Sequence, residues 1–407
     1  MLNIHDTTQQ STFVRQGWAG ILALLLMAFT ALPAQAQMED GELPEIDFAV
    51  NVMQSAQWLG ADDTNPLKRP SLDDDHAGFH RVRAGLNLSV QFHERVSALV
   101  MIESEPNDFG GLDVSSQFEP QVDFAIMDVQ LNDQLTFRAG TPVTGLFKFR
   151  GYTDGPVVQG NPVIGNSPAD LITAGQGVKL IGSFDGVGFD VTINRGFGES
   201  FDSGGTSGVD LVGNLTIQPS DAYGLGLGVA TATGNKLLQM AAGDGENYNL
   251  TGSASASRET HAAMPGETIV QGDAMVNLSS AKVSAWGGFA TGQIAGSTIN
   301  PAVNSLGDDA QAAYVGVNAK LDATESVFFG LRGTLVSNIS DEADSGASNA
   351  DFSESSSLSR IEASVGFSFL DAAMLKVSGI RQVEGINSFG QVGNNWFGAA
   401  TELSFAF

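Results

Sequence analysis

Apolar and polar residues alternate with period 2 along most of this chain, in segments of about 9 to 13 residues bounded by turn residues. Successive side chains of a β-strand point to opposite faces, so such a pattern marks strands with one apolar and one polar face. Residues 79–92 show it clearly. Val82, Ala84, Leu86, Leu88, Val90 and Phe92 share one face, and Arg81, Arg83, Gly85, Asn87, Ser89 and Gln91 share the other. No helical periodicity of useful length competes with it after the N-terminal region.

Applied along the chain, the pattern predicts about sixteen strands, near 45–56, 79–92, 95–104, 121–132, 134–140, 174–184, 187–196, 208–219, 222–233, 267–279, 281–292, 310–321, 324–337, 357–370, 372–382 and 395–407. The connections alternate in length. His93-Glu94, Asn132-Asp133, Asp185-Gly186, Pro219-Ser220-Asp221, Ser279-Ser280, Asp322-Ala323 and Asp371 are short, and 57–78, 105–120 and 141–173 are long. A soluble sandwich has no reason to sort its loops this way. A transmembrane barrel does, with short turns at one mouth and long loops at the other. The expected fold is therefore an all-β, single-domain, antiparallel transmembrane barrel over 37–407.

The chain ends fit that expectation. Arg15 is followed by an apolar run from Ile21 to Leu32 and then Ala34-Gln35-Ala36, the order of a secretory signal. The run is about 12 residues, short of the roughly 20 needed to span a bilayer as a helix. Residues 1–36 are thus read as a cleaved signal, with maturation near Gln37. At the other end Phe397, Leu403, Phe405 and Phe407 fall on one face of the last strand. The expected location is the outer membrane of a Gram-negative cell, among lipid and lipopolysaccharide. The chain has no cysteine, so no disulfide holds it together, and a closed hydrogen-bonded barrel supplies the alternative.

The formal charge is −27, which argues against nucleic-acid binding. The acidic excess sits mainly in loops, at Asp62-Asp63, Asp73-Asp74-Asp75, Asp308-Asp309 and between Asp341 and Glu354. If the apolar face meets lipid, the polar face lines the lumen. On that register nine of the eighteen basic residues after the signal point inward: Arg81, Arg83, Arg138, Lys179, Lys282, Lys320, Arg332, Arg360 and Lys376. Asp123, Asp190, Asp210, Glu362 and Glu402 are the matching inward acids. Two readings stay open: a locally positive pore wall, or wall charges that pair with one another.

The loop 141–173 contains Leu146-Phe147-Lys148-Phe149-Arg150-Gly151. Lys148 and Arg150 alternate with Phe147 and Phe149, so both cations could face the lumen while the rings pack on the wall. Phe137-Arg138-Ala139-Gly140 through Phe147-Lys148, followed by Gly175-Gln176-Gly177-Val178-Lys179-Leu180, resembles the phosphate-selective porin O/P-like group and its general-porin relatives. The resemblance spans about 60 residues and implies a sixteen-stranded barrel, commonly a homotrimer, that passes small ions or polar solutes. It further implies that this loop folds inward and narrows the channel. Phosphate-binding members carry many clustered arginines and lysines, whereas here Lys148 and Arg150 stand nearly alone. The resemblance therefore carries the porin reading and not phosphate specificity. The expected constriction is Lys148 and Arg150, with Arg81, Arg83, Arg138, Lys179, Arg332 and Arg360 on the wall and a possible preference for anions.

Rival functions have little chemistry to stand on. Beyond the signal the histidines are His76, His80, His93 and His261, and no serine sits in a Gly-x-Ser-x-Gly elbow. No Cys/His ligand set for a metal is present, and no cofactor is expected. The glycine series Gly224, Gly226 and Gly228 precedes no helix, so it reads as a strand that a neighbour approaches closely. A structural or adhesive barrel without an open channel is the main alternative, and a hydrolase the lesser one.

Overall fold

The computed structural model describes residues 44–61, 76–104, 121–141, 143–146, 148–149, 161–165, 167, 169, 171–174, 177–195, 209–232, 241–242, 268–292, 310–338, 357–369, 372–384 and 396–406. These form strands without a helix among them: β1 (Glu45–Ala61), β2 (His76–His93), β3 (Val96–Ser104), β4 (Gln121–Asn132), β5 (Leu135–Gly140), β6 (Val143–Gly145), β7 (Leu171–Ala174), β8 (Gly177–Phe184), β9 (Val187–Arg195), β10 (Val209–Ser220), β11 (Tyr223–Ala232), β12 (Ala241–Ala242), β13 (Thr268–Leu278), β14 (Ala281–Gly292), β15 (Ala310–Asp322), β16 (Val327–Asn338), β17 (Ser357–Phe369), β18 (Ala373–Glu384) and β19 (Trp396–Ala406).

Sixteen of them close into one antiparallel barrel, in which β1 pairs with both β2 and β19. Closure leaves no edge strand in the barrel, so each strand is paired on both sides within the wall, except where β5 ends below the top of β4. The sixteen match the strands predicted from alternation, with shifted ends. β1 and β2 run further than the pattern indicates because they stay paired beyond a bulge at Ser55/Ala56. That extra residue flips the parity, which keeps Phe79 on the exterior, 78% exposed. The predicted strand 174–184 is β8 from Gly177 on, while Ala174 ends β7, a separate short strand outside the barrel.

The exterior is apolar: Leu225, Leu227 and Val229 on β11, Val315, Val317 and Leu321 on β15, and Phe329, Leu331 and Leu335 on β16 are all exposed. Trp58 and Phe397 pack edge to face across the β1–β19 seam. The interior is polar and buried, with Asn51, Thr192, Asn214, Gln271, Asn318, Glu362 and Gln382 facing inward. A water-soluble barrel would invert this arrangement, so the wall is that of a transmembrane barrel.

One stretch of the wall is low. β5 has 6 residues and β8 has 8, against 17 and 18 in β1 and β2. At about 3.3 Å per residue, the chain leaves β5 well below the top of its neighbour β4, which has 12 residues. Gly140 makes the exit with φ of +116°, and a Cβ there would lie 2.0 Å from the Ala125 carbonyl oxygen, so a glycine is required.

Candidate pore constriction

The segment leaving β5 crosses to lumen-facing side chains on several strands. Leu146 and Phe149 are buried against β11: a Cβ at Gly224 would lie 2.4 Å from the Phe149 ring, and one at Gly228 would lie 2.9 Å from Leu146 Cδ2. The glycine series on β11 is thus the seat of the segment, and its missing side chains make the room. Asp273 on β13 fixes the backbone there. Its Oδ2 accepts the Lys148 N–H at 3.1 Å and the Phe149 N–H at 2.7 Å. Asn214 Nδ2 donates to the Gly145 carbonyl at 3.2 Å.

Further round the same arc of wall, Asn161, Val163, Ile164, Ser167 and Ala169 are buried, with contacts to β14 and β16–β18. The Arg332 guanidinium grips Glu362 with two hydrogen bonds, at 2.5 and 2.8 Å, and donates to the carbonyls of Gly165 at 2.8 Å and Ile164 at 3.3 Å. Ser364 Oγ donates to the Pro162 carbonyl, Trp286 Nε1 donates to the Ala169 carbonyl at 2.9 Å, and the Ile164 N–H reaches Ser378 Oγ at 3.3 Å. Within the same region β7 pairs with both β6 and β12, so residues 241–242 of a second long connection join the segment in a three-stranded sheet. Period-2 alternation gave no sign of these short strands.

Most of the described cations on the inner wall have a carboxylate partner. Arg138 lies opposite Asp128 in register and binds it through two hydrogen bonds of 2.7 Å. Lys148 Nζ is 2.7 Å from Asp190 Oδ2, and Lys179 Nζ is 3.5 Å from Asp190 Oδ1. Arg83 pairs with Glu103, and Lys376 with Glu402 at 2.6 Å. Arg360 Nε donates to Gln382, its register partner, at 2.7 Å. Arg81 is placed in β2 opposite Ser55, but its side chain lies outside the described ones, as does that of Asp123. Arg150, Phe147, the signal region and the four acidic loop runs also lie outside the described residues.

Exposure divides these pairs into two groups. Arg332, Glu362, Lys376 and Glu402 have fully buried side chains. Arg138 and Asp128 keep 25% and 26% exposure, and Lys148 keeps 18%. The pairing partners Glu103 and Asp128, and the anchor Asp273, were not singled out from sequence. The alternation that marks Gln271 and Met275 as neighbours of one face carries Asp273 with them.

No family model and no curated protein matches the chain. Solved structures do, at low identity. The outer membrane channel DcaP of Acinetobacter baumannii superposes with a TM-score of 0.58 at 12% identity, covering 92% of this chain and 100% of that one. The anion-selective porin from Comamonas acidovorans gives 0.55 at 11%, covering 90% and 100%. OmpT, an outer membrane protein of Vibrio cholerae, gives 0.51 at 12%, covering 91% and 100%. This chain shares their barrel fold. Together with its apolar exterior and its sorted turns and loops, the closed barrel places the chain in an outer membrane.

Proposed function

We propose that this barrel is a passive channel for small hydrophilic solutes, narrowed at mid-height by the segment between β5 and β8. The observation that carries the reading is the fixing of that segment to the inner wall at two separate places, by Asp273 on β13 and by Arg332–Glu362 on β16 and β17. A constriction held by buried hydrogen bonds keeps its width, which a size-limited pore requires. The passage runs along β4, β5, β8 and β9, where Arg138, Asp128 and Lys148 retain solvent exposure. In this reading Lys148 and Arg150 border the narrowest point, Arg81, Arg83, Arg138 and Lys179 contribute to the wall, and Arg332 and Arg360 brace it. Cleavage near Gln37 and assembly as a homotrimer, as the porin resemblance implies, belong to the same proposal.

Selectivity follows from the pairing. Most inward cations are matched by a carboxylate, so the wall discriminates weakly. Around Lys148, however, Arg138, Lys148 and Lys179 cluster with Asp128 and Asp190, while the nearby Asp273 carboxylate is taken up by the Lys148 and Phe149 N–H groups. Cations at a constriction favour anions. The reversal potential of the purified barrel in a planar bilayer under a KCl gradient tests this. A shift toward the chloride potential is expected, and a shift toward potassium would transfer control to the acidic loops. Absence of conductance would favour a second reading, a structural barrel with a filled lumen, which the fully buried Arg332–Glu362 and Lys376–Glu402 pairs support.

A further inference from the structure

Inward positions of a water-filled barrel are polar, and the described inner wall breaks that rule on one arc. On β3 and β4, Leu99 lies directly opposite Ile126 and Met101 opposite Phe124, on the inner face that also carries Glu103 and Asp128. Leu99, Phe124 and Ile126 are half-buried, as is Ile181 on the inner face of β8. Elsewhere on that wall the large apolar side chains described, such as Met53, Val212, Ile269, Phe328, Val336 and Ile380, are buried, Met374 at the turn end of β18 excepted. Apolar surface left in water costs free energy in proportion to its area, so this strip needs a reason.

The strip ends on charge. Ile126 lies opposite Gly140, which has no side chain to cover it, and the next inward pair along the two strands is Asp128 and Arg138. From Asp128 to Phe124 the strip rises about 13 Å along β4, toward the mouth that carries the long connections. Arg138 binds Asp128 through Nε and Nη2, which leaves Nη1 facing no protein group among the described residues. A quarter of its side chain stays in water. On the other side of Arg138, Lys179 is its register partner, and Lys148 reaches the Asp190 carboxylate that Lys179 also approaches. An accessible cationic cluster thus stands at the foot of an accessible apolar strip.

We infer that Arg138 and the strip of Leu99, Phe124 and Ile126 form a transit site for an organic carboxylate with an apolar body, an aryl or alkyl acid. The carboxylate takes the open Nη1 side of Arg138, where a charge-assisted hydrogen bond forms without breaking the pair with Asp128. The body lies up the strip and covers apolar surface that water otherwise wets. An inorganic anion would answer the cations and leave the strip wet, and a sugar would set hydroxyls against it. The inference rests on the channel reading and supplies its class of solute.

Calorimetric titration of the barrel in lipid nanodiscs with sodium phenylacetate, sodium acetate and neutral 2-phenylethanol tests it, with the heats of empty nanodiscs subtracted. Saturable phenylacetate binding is expected, about tenfold tighter than acetate and about tenfold tighter than 2-phenylethanol. The double variant Phe124→Ser/Ile126→Ser should bring phenylacetate down to the acetate level, and Arg138→Gln should weaken it by about tenfold. Circular dichroism and heat-modifiable migration confirm that each variant is folded, and the three-ligand comparison stands on the unaltered barrel. Phenylacetate bound no tighter than acetate, 2-phenylethanol bound as tightly as phenylacetate, or a preference unmoved by Phe124→Ser/Ile126→Ser would each overturn the assignment. Calorimetry needs no conductance. A barrel that prefers phenylacetate without conducting would refute the channel and leave the site, and a conducting barrel without that preference would do the reverse.

Discussion

The inner wall beneath Pro162–Gly165 and the inner wall around Lys148 use the same chemistry, an ion pair from adjacent strands joined to the crossing segment. Under Pro162–Gly165, Arg332 and Glu362 are fully buried and the guanidinium also holds two segment carbonyls. Around Lys148, the Arg138–Asp128 pair and the Lys148 side chain stay partly in water, above a buried Asp190. The difference teaches that pairing alone does not assign a role. A desolvated pair whose remaining donors are satisfied by backbone carbonyls fixes a loop. A pair such as Arg138–Asp128, with about a quarter of each side chain in water, adds little stability and is free to set the field of a passage.

The comparison can be broken most forcefully at Glu362. Glu362→Gln leaves a buried guanidinium without its counter-charge and is expected to destabilise the barrel by about 3–5 kcal/mol, read from urea unfolding in lipid vesicles. The double variant Arg332→Met/Glu362→Leu removes both charges and should recover most of that loss. A double variant as unstable as Glu362→Gln would show that the pair is not a coupled unit. Asp273→Ala comes next. It strips two backbone N–H groups of their acceptor, for about 1–3 kcal/mol, and should raise the noise and mean of the single-channel conductance as the segment loosens. The smallest stability effect belongs to Asp190→Asn, about 1–2 kcal/mol, since Asp190 is buried but the isosteric amide keeps an oxygen toward Lys148 and Lys179. Its signature is electrical, since Lys148 and Lys179 lose their shared carboxylate and the reversal potential moves further toward chloride. An unchanged reversal potential would detach Lys148 from the passage.

Much of the wall was legible in the residues. Alternation located the sixteen strands, and strand parity placed Arg83, Arg138, Lys179, Arg332, Arg360 and Lys376 on the inner face. Partners across tight turns were within reach of the same logic. Asp128 and Arg138 flank the turn at 132–135, and Arg360 and Gln382 flank the turn at 369–373, so loop length sets their register. Lys376 and Glu402 are joined through a long connection, whose length carries no register information. Asp273 lies 124 residues from Phe149 and Arg332 lies 167 from Gly165. Contacts of that span depend on where the short β5 releases the chain into the lumen, which no local pattern encodes.

The division of the interior into a sealed side and an open side is tested most directly by thiol accessibility, which the absence of native cysteine makes clean. Thr136→Cys places a thiol on β5 next to Arg138, and Ser378→Cys places one on β18 behind Ile164. A cationic methanethiosulfonate reagent applied to the folded barrel in a bilayer should react with the first and reduce its conductance. The second should react only after unfolding in urea. Equal reaction at both sites, or reaction at Ser378→Cys alone, would contradict a passage along β4, β5, β8 and β9.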